Sequence, residues 1–205
     1  MTTQAQKTLV QINSSLFSGQ GQSTVLADQF VAKWQAAHVN GKVVRHDLAT
    51  EEIPHLDGAR FMAFLAKAEE RTEAQKAVVA YSDQLINELR AADTIVLGLP
   101  LYNFGVPSQL KAYFDHVARA GETFSYTANG PQGLLQGKKA IVFATRGGQY
   151  AGTPLDTQTN YVRDFFAFIG ITDVQFIYAE GLARSGDVKD AALAHAQEQL
   201  QALPV

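Results

Sequence analysis

The chain has no cysteine. That single absence excludes disulfide scaffolds, thiolate catalysis, zinc ribbons and iron–sulfur ligation. It also lacks an excess of either charge: 17 lysines and arginines stand against 20 aspartates and glutamates, for a formal net charge of −3. No basic stripe gathers anywhere, which argues against a nucleic-acid surface. Long hydrophobic runs are missing too; none approaches the ~20 residues that a membrane helix needs. The polar stretch Met1–Gln6 has no apolar signal-peptide core and is expected to be a frayed terminus. These absences predict a soluble, cytoplasmic protein with no membrane or nucleic-acid partner. What is present is ordinary globular material, 205 residues of which 46% are hydrophobic and 18% charged. A chain of that length can bury roughly 70% of the surface its unfolded form exposes. With no linker, composition shift or internal repeat, residues 1–205 read as one domain.

Along the chain, strand and helix signals alternate. Lys7–Ile12 is short and β-branched, Lys42–His46 and Val174–Ala179 read as further strands, and Thr94–Pro100 and Lys139–Ala144 are apolar, as strands buried on both faces are. Between them, helical spacing predicts helices over Ser23–His38, Thr72–Arg90, Ser108–Arg119, Asp156–Ile169 and Val188–Leu203. Thr72 and Gln75 resemble a capping box. Residues 48–71 are ambiguous, with a short helix through Phe61–Ala68, and Gly121–Gly133 has the look of a hairpin or long loop. Five strands with helix-length crossovers imply an α/β, doubly wound, flavodoxin-like parallel sheet of order 2-1-3-4-5.

Ligands of such sheets bind beyond the carboxyl ends of the strands, and unusual residues collect there in three loops. The first, Asn13–Thr24, carries hydroxyls on Ser14, Ser15, Ser18 and Ser23, glycines at 19 and 21, and a helix start near Ser23. These are the parts of an anion site. It is neither a Walker A loop nor a dinucleotide fingerprint. With no lysine or arginine in the loop, one monophosphate fits better than a polyphosphate. The second loop, Pro100–Pro107, offers Tyr102, Asn103 and Phe104 to a planar heterocycle. The third, Thr145–Gly148, offers backbone N–H groups through Gly147 and Gly148. None of the five histidines has metal-ligand spacing, and no serine has a nucleophile-elbow context. No metal site is expected.

At these residues the chain resembles the FMN-dependent NADH-azoreductase family, within the flavodoxin-like NAD(P)H:quinone oxidoreductases. The matching stretches include Ser14-Ser15 with Gln22-Ser23, Pro100–Phe104, Gln109–Asp115, Val117–Gly121, Gly137–Ala140, Arg146–Gly148 and Phe168–Ile171. The resemblance implies that Ser15, Gly21, Gln22 and Ser23 hold the FMN phosphate. It implies that Leu101, Tyr102, Asn103 and Phe104 run along the isoalloxazine, and that Thr145, Arg146, Gly147 and Gly148 contact its pyrimidine side. Three positions depart from the family: Gly21 for a serine, Leu101 for a methionine and Thr145 for a serine.

The activity implied is ping-pong hydride transfer through flavin N5, from NADH or NADPH to quinones and azo compounds, with no catalytic side chain required. In the family a homodimer completes the slot, and Phe124 and Phe168 are the candidate aromatic walls for the acceptor. The segment Phe124-Ser125-Tyr126 and the run Phe165–Phe168 are expected as apolar surface without a core partner, unless these phenylalanines pack under their own hairpin. The alternative is a flavodoxin-like electron carrier without efficient NAD(P)H oxidation, although such carriers are usually shorter and more acidic.

Overall fold

The computed structural model describes residues 6–205, so Met1–Ala5 of the terminus expected to fray lie outside the described residues. Gln6 is tied down: its side-chain amide donates to the Asn40 carbonyl at 2.7 Å. The main sheet is built from β1 (Thr8–Asn13), β2 (Lys42–Asp47), β3 (Thr94–Pro100), β6 (Lys139–Thr145) and β7 (Asp173–Ala179). They pair in parallel in the order β2-β1-β3-β6-β7, which is the expected 2-1-3-4-5 arrangement with a hairpin inserted after the third strand. That hairpin is β4 (Phe124–Thr127) against β5 (Gly130–Gly133), a separate two-stranded antiparallel sheet.

The central strands are apolar on both faces because helices cover both. One layer packs α1 (Gln22–Ala37) and α6 (Asp187–Ala202) on the sheet through Leu26, Phe30, Trp34 and Leu200. The other packs α3 (Glu73–Ala91), α4 (Ser108–Val117) and α5 (Thr159–Ile169) through Leu85, Leu89, Tyr113, Phe114 and Phe166. Each such side chain contributes about 1.5–3 kcal/mol by burial. The ambiguous region resolves as α2 (Gly58–Leu65), which begins three residues before the expected start. The Asp57 side chain accepts from the Arg60 N–H and nucleates the helix there. The capping box of Thr72 and Gln75 forms at the head of α3.

Two expectations need correction. The α5 helix starts at Thr159 and not at Asp156, because Asp156 turns its carboxylate back onto the Thr159 N–H at 3.1 Å. More consequentially, the aromatic run is not bare. Phe166 is buried, Phe165 stacks on Phe114 with centroids 3.8 Å apart, and Phe124 is buried against Phe168 at 4.2 Å. Phe114 of α4 is the core partner of Phe165 and Phe166, and the partner of Phe168 is the hairpin. It is held there by a close backbone approach: a Cβ on Gly133 would stand 2.1 Å from the Gly170 nitrogen, where α5 ends with φ +105°.

Strand order reverses between β1 and β3, and another glycine sets the geometry at that point. Gly98, inside β3, lets the first turn of α1 descend until the Ser23 carbonyl would lie 3.2 Å from an added Cβ. A helix N-terminus is thereby held over the carboxyl ends of β1 and β3.

Candidate functional site

The first loop sorts its hydroxyls into spent and free. Ser14 Oγ donates to the Gly98 carbonyl at 2.7 Å, and Ser18, at φ +48°, donates to Asp47. Neither serine is left for a ligand, which corrects the expectation of four available hydroxyls. Ser15 Oγ accepts from the Phe17 N–H at 3.2 Å and lies 3.3 Å from the Tyr102 hydroxyl. Ser23 is 0% exposed, yet its Oγ and the adjacent Thr24 Oγ1 have no hydrogen-bond partner among the described residues. An unsatisfied buried polar group costs about 1–3 kcal/mol. Such a cost calls for an explanation, and here it falls beside a helix N-terminus and not in the core, unlike that of Tyr113 Oη. Both hydroxyls sit in the first turn of α1, a 16-residue helix whose N-cap is Gly21 and has no side-chain cap. Free N–H groups and the positive helix end therefore add to the attraction for an anion.

Gly21 has ordinary extended backbone, φ −67°, so conformation does not demand a glycine. Space does: a Cβ would stand 2.1 Å from Ser15 Oγ. The departure from the family's serine thus leaves room for the hydroxyl of Ser15.

The second loop is a tight reversal from Tyr102 to Gly105, whose N–H donates to the Tyr102 carbonyl at 2.9 Å. Asn103 and Phe104 occupy its centre at φ +49° and +58°. Asparagine adopts this region readily, whereas for phenylalanine it costs about 1–2 kcal/mol. The surroundings hold the strain in place. Gln158, fully buried, donates to the carbonyls of Pro100 at 2.9 Å and Gly105 at 2.8 Å, and Thr157 donates to that of Phe104. The Phe104 ring is half exposed and meets Tyr150 edge-on at 5.7 Å.

The third loop is anchored by charge. Arg146 has a 0% exposed side chain that pairs with Asp156 at 2.7 Å and Glu180 at 3.2 Å. It also donates to Thr159 Oγ1 at 3.1 Å and lies 5.0 Å from the centre of the Tyr178 ring. Burial alone would raise the Asp156 carboxyl, but the hydrogen bonds from Arg146 and Thr159 outweigh it and hold it below the usual carboxylate range. The guanidinium thus faces inward, and Arg146 reaches the cleft through its backbone. The amides of Gly147 and Gly148 donate to no acceptor among the described residues.

The three loops meet around a cleft of about 290 Å³. Ser15, Gly21 and Gln22 line it from the first, Leu101 and Tyr102 from the second, and Thr145, Arg146 and Gly147 from the third. Ser23, Asn103, Phe104 and Gly148 belong to the same loops without lining it. Phe17, Pro100, Leu182 and Ala183 complete the lining, outside the expected set. Leu182 and Ala183 follow β7, and their N–H groups donate to the carbonyls of Arg146 at 3.1 Å and Gly147 at 3.1 Å. The rule that pointed to the other loops, position after a buried strand, applies to them and to Glu180 as well. Phe124 and Phe168 do not line the cleft of their own chain.

A family model described as a flavodoxin-like fold matches residues 7–203. The chain belongs to this flavodoxin-like family. The flavodoxin-like chain is 54% identical over 194 residues to an FMN-dependent NADH:quinone oxidoreductase of Cellvibrio japonicus, covering 95% of this chain and 96% of that one. A protein of the same description from Alcanivorax borkumensis is 55% identical over 191 residues, covering 93% and 96%. Among solved structures, an azoreductase from Bacillus anthracis superposes with a TM-score of 0.86 at 30% identity, over 95% of this chain and 96% of that one. An FMN-dependent NADH-azoreductase from the same species, in complex with FMN, gives a TM-score of 0.84 at 26% identity, over 95% and 98%.

Proposed function

We propose that this flavodoxin-like protein is a cytoplasmic, FMN-dependent NADH:quinone oxidoreductase that also reduces azo compounds. The observation that carries the reading is the pair of buried, partnerless hydroxyls, Ser23 Oγ and Thr24 Oγ1, in the first turn of α1 beside the three-loop cleft. A phosphate monoester supplies the acceptors that these donors and the helix amides lack. With no lysine or arginine in the loop, a single phosphate suits it, and the relatives' printed names supply FMN and NADH.

In this reading Ser15, Gln22 and Ser23 hold the phosphate. The Leu101–Phe104 turn runs along the ring, and the Gly147 and Gly148 amides face its pyrimidine edge, where fixed dipoles stabilise negative charge. When bound, FMN supplies the redox chemistry itself: ping-pong hydride transfer through N5, from NADH and then to the acceptor. The chain orients the ring and excludes water above it. The active unit is a homodimer in which the 76% exposed Tyr126 of the hairpin, backed by Phe124 packed on Phe168, walls the partner copy's slot.

The test is a titration of purified protein with FMN, followed by NADH and then a quinone or azo dye. The flavin band should bleach with NADH and return with either acceptor, and light scattering should give twice the chain mass. Flavin that binds but is not bleached by NADH would favour the electron-carrier alternative. A protein that binds no FMN would overturn the reading.

A further inference from the structure

We propose that Glu180, acting with Arg146, is a positioning residue that prefixes the 145–151 loop in the shape that receives the flavin ring. The inference rests on the FMN reading above. Arginine in a loop beside a flavin invites the view that its charge serves the ring. The geometry points elsewhere. The Arg146 guanidinium is fully buried between Asp156 and Glu180, one positive charge against two negative ones, with its Nε unsatisfied and no exposed face. Such a group has no charge to lend to a ligand in the cleft.

Glu180 explains why it is there. One carboxylate oxygen, Oε1, accepts from Arg146 Nη1 at 3.2 Å, from the Tyr150 N–H at 2.8 Å and from the Ala151 N–H at 2.9 Å. It ties both ends of the glycine segment to one atom. Backbone bonds close the same frame from the other side: the Arg146 N–H donates to Ala179 and the Gly181 N–H to Gly148. Within the frame, the Gly147 and Gly148 amides stay without acceptors. A ring edge meeting amides already ordered loses less entropy on binding than one that must order the loop. A carboxylate accepting from ordered amides and a guanidinium is a strong anchor, and Glu180 does not itself line the cleft.

The contrast between FMN and riboflavin tests this, since the loop acts on the ring and not on the phosphate. In Glu180→Ala, the Kd values of FMN and riboflavin should rise by the same factor, on the order of tenfold, because preorganisation is lost. The Tyr150 and Ala151 amides of the apo-protein should lose hydrogen-exchange protection. Glu180→Gln keeps an acceptor oxygen and should restore most of both, which also covers failure of the alanine variant to fold. A lowered melting temperature with both flavin affinities unchanged would overturn the proposal in favour of a purely structural role. So would a loss confined to FMN. A wild-type protein that binds neither flavin would instead overturn the functional reading, and this one with it.

Discussion

The two loops that flank the cleft solve opposite problems. The 13–24 loop leaves two hydroxyls buried with no partner and carries no cation. The 145–151 loop pairs one buried arginine with two carboxylates and a hydroxyl, leaving only its Nε without an acceptor among the described residues. One region holds an energetic cost in reserve for a ligand, and the other is ordered before a ligand arrives. Removing a group should therefore weaken phosphate binding alone in the first region, and folding together with ring binding in the second.

The largest effect is expected at Arg146. Arg146→Ala leaves Asp156 and Glu180 buried without their cation, a loss of about 3–5 kcal/mol, to be read in denaturant unfolding of the apo-protein. A loss below about 1 kcal/mol would mean that the cluster is solvated and that the contrast between the loops is false. Ser23→Ala should do the reverse. FMN affinity falls by about 1–2 kcal/mol, roughly tenfold in Kd, as a charge-assisted hydrogen bond is lost. Apo stability stays level or rises, because an unsatisfied hydroxyl is removed, and riboflavin affinity stays unchanged. FMN binding as tight as in the parent would place the phosphate elsewhere.

A smaller effect sharpens the picture of the first loop. Gly21→Ala puts a methyl group 2.1 Å from Ser15 Oγ and 2.5 Å from Ser15 Cβ, so the backbone around Ser15 must shift and FMN affinity should fall several-fold. In a Ser15→Gly background, which removes both the Oγ at 2.1 Å and the Cβ at 2.5 Å, the same change should cost much less. That non-additivity, of order 0.5 kcal/mol or more, is measurable by calorimetry in a double-mutant cycle, and strict additivity would mean that the two residues do not share the space.

The smallest effect lies outside both loops. His46 is buried with Nδ1 2.8 Å from Glu51 and Nε2 2.6 Å from Glu88. Burial alone would lower its pKa, but the two carboxylates outweigh this and raise it above the ordinary 6.5. A raised native pKa contributes stability that is complete below the unfolded value and lost as pH rises through the native one. The melting temperature of the parent should therefore decline across that window above pH 6.5, and His46→Gln should flatten the decline. An identical slope in both proteins would show that the imidazole does not titrate there.

Much of the site could be read from the chain itself, and the limit falls at identifiable residues. The three central strands were legible because parallel strands covered on both faces must be apolar throughout, the part-exposed edge strands β2 and β7 by their β-branched and aromatic residues, and the order of all five followed from helix-length crossovers. The three loops were legible because glycines, hydroxyls and aromatics after buried strands have little other reason to gather. Which serines were free was not. Ser14 and Ser23 look alike in sequence, and only the approach of Gly98 commits one to a carbonyl and leaves the other without a partner. Nor could the sequence tell that the Arg146 side chain turns inward, since Asp156 and Glu180 lie 10 and 34 residues away along the chain. The run Phe165–Phe168 looked like uncovered surface because its cover comes from Phe114 of α4 and from Phe124 of a hairpin some 40 residues earlier, seated where Gly133 meets Gly170. Local composition determined where the loops, strands and polar groups fall. Long-range packing decided which of those polar groups were spent on the protein and which were left for a ligand, because a hydrogen bond is satisfied by whatever the fold brings within 3 Å or so.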